Sequence, residues 1–151
     1  MIKKAKPSSM NPNLNTVIIV EDNKADAEIT RHVLSEISAT ADFVHCEDGE
    51  QLLEMLPNSN TDRIRFIILD LGLPKLDGKE VLKRLSERQD WQRLPVIIFS
   101  SSENLDDIIT CYKLGVNAYV SKPANYNEYD RVVKSIHRFW GAANLTPSMG
   151  H

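Results

Sequence analysis

The chain has 151 residues, 42% of them hydrophobic and 26% charged, which suits one globular domain with its own core and excludes a disordered chain. Lys plus Arg number 18 against 21 Asp plus Glu, a net charge of -3, and the basic residues cluster only at Lys3, Lys4 and Lys6, so a nucleic-acid binder is excluded. The apolar runs are too short to span a membrane and the start lacks a signal-peptide pattern, so the expected location is cytoplasmic.

Residues 1–15 are polar and read as a loose tail. Val17-Ile18-Ile19-Val20 is the first of four apolar runs, followed by Phe66-Ile67-Ile68-Leu69, Val96-Ile97-Ile98-Phe99 and Ala118-Tyr119-Val120. Continuous β-branched runs predict strands covered on both faces, hence a parallel sheet. Phe43-Val44-His45-Cys46 is less apolar and is placed at the sheet edge.

Between these runs the period becomes helical. Ala25, Ile29, Val33 and Ile37 share one face, and Asp48 with Gln51 makes a capping-box-like start before Leu52, Leu53 and Leu56, with Pro57 as the stop. Gly78 opens a segment carrying Val81, Leu82 and Leu85. Leu105, Ile108, Ile109 and Tyr112 form the next stripe, closed by Gly115. The last helix starts at Asn125 with Glu128 three residues on, carries Tyr126, Tyr129, Val132, Val133, Ile136, Phe139 and Trp140, and is expected to end at Gly141. Cys46 and Cys111 have no ligand spacing and read as reduced structural thiols.

Five strands alternating with five helices predict a doubly wound α/β domain over residues 16–140, with a second tail over 141–151. Such a sheet binds its ligand outside the carboxyl ends of its strands. Those ends carry Glu21-Asp22, Asp70, Ser100-Ser101-Ser102 and Ser121-Lys122-Pro123. Each alone is an ordinary cap or turn residue; together they bring three carboxylates, a hydroxyl and a lysine to one edge. Crowded carboxylates need neutralising, and oxygen-only ligands select Mg²⁺, with Lys122 as a second source of positive charge.

The strings Val17–Asn23, Leu69–Gly78, Phe99–Ser101 and Ala118–Pro123 resemble the receiver domains of response regulators. The resemblance implies a flavodoxin-like sheet of order 2-1-3-4-5 and gives roles by position. Asp70 takes a phosphoryl group from a histidine kinase; Asp22 binds Mg²⁺ directly, Glu21 through water, and the Gly72 carbonyl completes the protein ligands. Ser100 is the switching hydroxyl, Tyr119 the switching aromatic and Lys122 the phosphate-contacting lysine, on a cis Lys122-Pro123 bond. Gly72 stands where many members carry a polar side chain, and Ser100 where Thr is commoner. Phe139-Trp140 and Asn144-Leu145-Thr146-Pro147 are similar to the small receivers that accompany cyanobacterial-type phytochromes, which implies a phytochrome as kinase.

No output domain is expected after the last helix, so the signal passes to a downstream protein through a changed surface. Tyr126, Tyr129, Phe139 and Trp140 exceed what one stripe needs and are taken as interface residues of a homodimer. The signalling module is expected to catalyse its own phosphoryl transfer and dephosphorylation rather than to be an enzyme on other substrates. An aspartate-based phosphatase wants a second acid two residues after the nucleophile, where Gly72 stands. A nucleotide or flavin binder wants a phosphate loop after the first strand, which Glu21-Asp22-Asn23 opposes. A docking receiver without phosphorylation is disfavoured by intact Asp22, Asp70, Ser100 and Lys122.

Overall fold

A computed structural model describes residues 15–38 and 40–145; of the loose tail expected over residues 1–15 it describes Asn15 alone, whose carbonyl accepts the Asp42 N–H at 3.0 Å, and the chain end from residue 146 lies outside the described residues. Strands β1 (Thr16–Val20), β2 (Asp42–Cys46), β3 (Ile64–Leu69), β4 (Val96–Ser100) and β5 (Ala118–Ser121) form one parallel sheet in the order β2-β1-β3-β4-β5. Helices α1 (Lys24–Ile37), α2 (Gly49–Met55), α3 (Gly78–Ser86), α4 (Leu105–Lys113) and α5 (Tyr126–Ile136) alternate with them. The expected strand order holds, and β2 is an edge.

The strands lack polar alternation because both faces are covered. Val17, Ile19, Phe66, Ile68, Ile97 and Phe99 pack with Val33 and Leu34 of α1 and Tyr129, Val133 and Ile136 of α5. Ile18, Val20, Ile67, Leu69 and Ile98 pack on the other side with Leu52, Val81, Leu82, Leu85 and Cys111. Each such side chain contributes roughly 1.5–3 kcal/mol by leaving water. Both cysteines are buried and free.

Every α-helix begins on a side-chain cap: Asn23, Asp48, Asp77, Asn104 and Asn125 each accept an N–H from the first turn. Gly115 has φ +96 after α4, a left-handed conformation suited to glycine. Three expectations are corrected. The buried face of α1 is Ala27, Thr30, Val33 and Leu34, with Ala25 exposed, because α1 packs on α5 as well as on the sheet. In α4 only Cys111 is fully buried; Leu105, Ile109 and Tyr112 face solvent. The last helix does not end at Gly141 but continues as a π-helical turn over His137–Ala143, closed by the Asn144 N–H on the Phe139 carbonyl at 2.6 Å. Gly141 serves close packing there: an added Cβ would lie 2.7 Å from the His137 ring. Buried Arg65 donates to the Ala142 carbonyl at 3.4 Å, so residues 141–143 are held by the domain rather than released as a tail.

Candidate functional site

The ends of β1 and β3 set the acids side by side. The Glu21 N–H donates to Cys46 (3.0 Å), and Asn23 caps α1, so Glu21 and Asp22 occupy a two-residue link between strand and helix. The Asp70 N–H donates to the Val20 carbonyl at 3.1 Å, extending the β1–β3 pairing by one step and placing Asp70 beside that link. One carboxylate oxygen from each of Glu21, Asp22 and Asp70 lies within 4.8 Å of the others. Beyond Asp70 the chain turns sharply: Gly78 donates to the Leu71 carbonyl at 3.0 Å, and a Cβ on Gly78 would meet the Asp70 carbonyl oxygen at 2.6 Å. Only glycine lets α3 start this close to the acid.

The charges compete. Glu21 is buried, and burial together with the Asp70 charge pushes its carboxyl up from 4.5 to about 7, although Lys122 pulls the other way. The Lys122 ammonium donates to Glu21 at 2.5 Å, Asp26 at 3.0 Å and Asp70 at 3.3 Å. Its own burial favours the neutral form, but these carboxylates outweigh it and raise its pKa. His45 Nε2 donates to the Glu21 carbonyl at 2.7 Å, fixing the acid's backbone from the neighbouring strand.

The expected cis bond at Lys122-Pro123 is not found; no described peptide bond is cis. The ammonium is aimed inward by another route. The Lys122 N–H donates to the Ser100 carbonyl at 2.8 Å, which continues the β4–β5 ladder and directs the side chain across the strand ends. Asp26 was not singled out from the sequence, though its position in the first turn of α1, four residues after Asp22, places it on the side of the acidic link.

Ser100 is buried at the end of β4, and its Oγ accepts the Ser102 N–H at 3.2 Å. Tyr119 is half-buried, and its hydroxyl donates to the Ser102 carbonyl at 2.8 Å. The two residues expected to switch thus meet at one loop residue. Gly72 is exposed, has open space about its Cα and donates weakly to Asp70 Oδ1 at 3.4 Å. Asp70, Gly72, Ser100 and Ser102 line a shared open cleft with Lys79 and Asp107, two residues that motif reading missed.

The candidate interface residues separate. Tyr126 and Phe139 are about half exposed, and Trp140 is partly buried against the α1–α5 core in edge contact with Phe139. Tyr129 is not available to a partner. It is 6% exposed, stacks edge-on against Phe99 and shares a hydrogen bond of 2.8 Å with Thr30. It fills the seam between α1 and α5 instead.

The donor set suits a hard divalent cation. It is all oxygen, and three carboxylates gather one oxygen each within 4.8 Å. Among the described residues no helix is long and apolar enough to cross a membrane.

Comparison with known proteins agrees with this geometry. Residues 17–134 match the response regulator receiver domain. The chain is 35% identical over 128 residues to the response regulator Rcp1 of Synechocystis sp., covering 82% of this chain and 87% of that protein. The phosphorylated cyanobacterial phytochrome response regulator RcpA superposes with a TM-score of 0.83 at 36% identity, over 89% of this chain and 99% of that one. The Mn(2+)-bound form of Rcp1 gives 0.81 at 34% identity, over 88% and 99%.

Proposed function

The chain belongs to the response regulator receiver domain family, whose general property is phosphorylation of an aspartate with Mg²⁺, and on that premise we propose that Asp70 is its phosphoacceptor. The observation that carries this reading is the trio Glu21, Asp22 and Asp70, two of whose members, Glu21 and Asp70, are bridged by the Lys122 ammonium. An Asp70 oxygen attacks the phosphorus of a phosphohistidine; the P–N bond breaks, the O–P bond forms, and the imidazole leaves with the bonding pair. Hydrolysis of the mixed anhydride returns the carboxylate and inorganic phosphate, which resets the signal.

Asp22 and Asp70, the Gly72 carbonyl and Glu21 are the residues that would hold the metal. A bound Mg²⁺ supplies charge neutralisation at the phosphoryl oxygens. Lys122 contributes a second positive charge from the protein itself, and it is already positioned by Glu21, Asp26 and Asp70. Ser100 donates its hydroxyl to the new oxygens. That takes its Oγ from the Ser102 N–H and moves the loop against which Tyr119 is bonded.

The donor is a histidine kinase. The likeness to Rcp1 and to the phytochrome response regulator RcpA supports a phytochrome-type kinase. The readout is a protein surface. Leu105, Ile109 and Tyr112 of α4 form an exposed apolar face, and Tyr126 and Phe139 of the last helix are exposed as well. Its occupant is a second copy of this chain, since a C2 pairing buries such a face on both partners at once; a downstream target then reads the pair.

Acetyl phosphate with Mg²⁺ should add one phosphoryl group, acid-stable and alkali-labile, to the wild type and not to Asp70→Asn. Equal modification of both proteins overturns the assignment. Sedimentation of the wild type and of the Phe139→Ala, Trp140→Ala double variant, with and without phosphorylation, tests the pairing. A strictly monomeric wild type across micromolar concentrations in both states rules it out.

A further inference from the structure

Lys122 is shared among three carboxylates on the α1 side of Asp70. The opposite wall of the cleft carries its own cation, Lys79. It follows Gly78, the residue pressed against the Asp70 carbonyl, so the lysine is rooted beside the phosphoacceptor. Its Nζ pairs with Asp107 Oδ1 of α4 at 2.5 Å, and the side chain is 38% exposed. Asp107 Oδ2 accepts the Ser102 hydroxyl at 2.7 Å, and Ser102 is the residue that meets both Ser100 and Tyr119. Lys79 and Ser102 together hold the Asp107 carboxyl below its ordinary range.

A phosphoryl group on Asp70 brings close to two negative charges and three acceptor oxygens into this cleft. Asp107 then faces a like charge, while Lys79 faces a stronger attractor than the carboxylate it holds. A lysine with a flexible stem and three donors can change partner without moving its helix. We propose that Lys79 exchanges partners on phosphorylation: it pairs with Asp107 while Asp70 is a free carboxylate, and turns to the phosphoryl oxygens once they are present. The exchange releases Asp107, and with it the tie from α3 through α4 to Ser102. This inference rests on Asp70 being the phosphoacceptor.

Opposite signs distinguish the exchange from a static ion pair. Beryllofluoride with Mg²⁺ mimics the acyl phosphate, and its binding can be followed by fluorine NMR in the wild type, Lys79→Gln, Lys79→Arg and Asp107→Asn. Lys79→Gln should bind about two- to fivefold more weakly, the scale of one exposed charge pair. Asp107→Asn should bind more tightly by a similar factor, because the competing carboxylate has lost its charge, and Lys79→Arg should stay near wild type. A structural pair predicts that Lys79→Gln and Asp107→Asn move together, since both break the same contact; that result, or no change in either, overturns the exchange. A wild type that takes up neither beryllofluoride nor a phosphoryl group overturns the assignment of Asp70 instead.

Discussion

Tyr129→Phe removes one oxygen from the seam between α1 and α5 and leaves the ring in place. The hydroxyl shares a 2.8 Å hydrogen bond with Thr30 Oγ1 and also donates to the Asp26 carbonyl at 3.3 Å. Thr30 is 2% exposed, so its hydroxyl finds no water when its partner is deleted. Leaving a buried hydroxyl unpaired costs about 1–3 kcal/mol, and the packing of the ring on Phe99 is unchanged. Thr30→Val removes the other partner but leaves the Tyr129 hydroxyl its bond to the Asp26 carbonyl, so it predicts a smaller loss. The double variant, in which neither hydroxyl remains, should cost clearly less than the sum of the two, because no orphaned hydroxyl is left in the seam. Urea unfolding of the four proteins closes the cycle, and sedimentation should find self-association unaltered in Tyr129→Phe. A Tyr129→Phe variant as stable as wild type, or strictly additive losses, would refute the reasoning that this pair is a buried bond between two helices.

Gly141→Ala places a Cβ 2.7 Å from the His137 ring and should lower the thermal midpoint by an amount corresponding to about 1–3 kcal/mol, which calorimetry reads directly. His137 adds one pH dependence: its burial and the Arg65 charge hold its pKa below 6.5, so in the window just under 6.5 the unfolded chain takes up a proton that the fold refuses. Its stabilising contribution is therefore present above that window and lost as pH falls through it, while the raised Glu21 carboxyl acts in the opposite sense in both proteins, so His137→Gln should gain urea midpoint relative to wild type between pH 7 and 5; parallel profiles refute it. Gly78→Ala forces a Cβ to within 2.6 Å of the Asp70 carbonyl and should slow phosphorylation by acetyl phosphate as well as destabilise the domain, so a variant phosphorylated at the wild-type rate counts against the close approach.

The strand runs, the caps and the strand-end acids were legible because each is a local rule. A β-branched run without alternation needs two covered faces, and Asp48 and Asn125 cap whatever helix follows them. What failed was long-range. Tyr126 and Tyr129 differ by three positions on α5, and nothing local says that Thr30, 99 residues away from Tyr129, turns one of them into core. The stripe of α4 had correct spacing, but Cys111 and the nearby Val116 suffice to seat that helix, which leaves Leu105, Ile109 and Tyr112 outside. Glycine commonly ends helices, which makes Gly141 a stop by local rule; its close approach to the His137 ring gives it the opposite role. Asp26 and the Lys79–Asp107 pair belong to no motif string, and only the topology brings them to the cleft.

These findings converge on α4. One side of the helix is tied at Asp107 to α3 and to the loop that bonds Ser100 and Tyr119. Its other side offers Leu105, Ile109 and Tyr112, separated by four and three residues and hence on one exposed stripe. A helix seated by little apolar burial is held in position largely by polar ties, and polar ties are what a new phosphoryl group competes for. On the proposal that Asp70 is phosphorylated, the same weak packing that leaves an apolar stripe in water would let α4 shift in response. Burying that stripe against a second copy would in turn favour whichever position of α4 the phosphoryl group selects, so pairing and phosphorylation should reinforce each other.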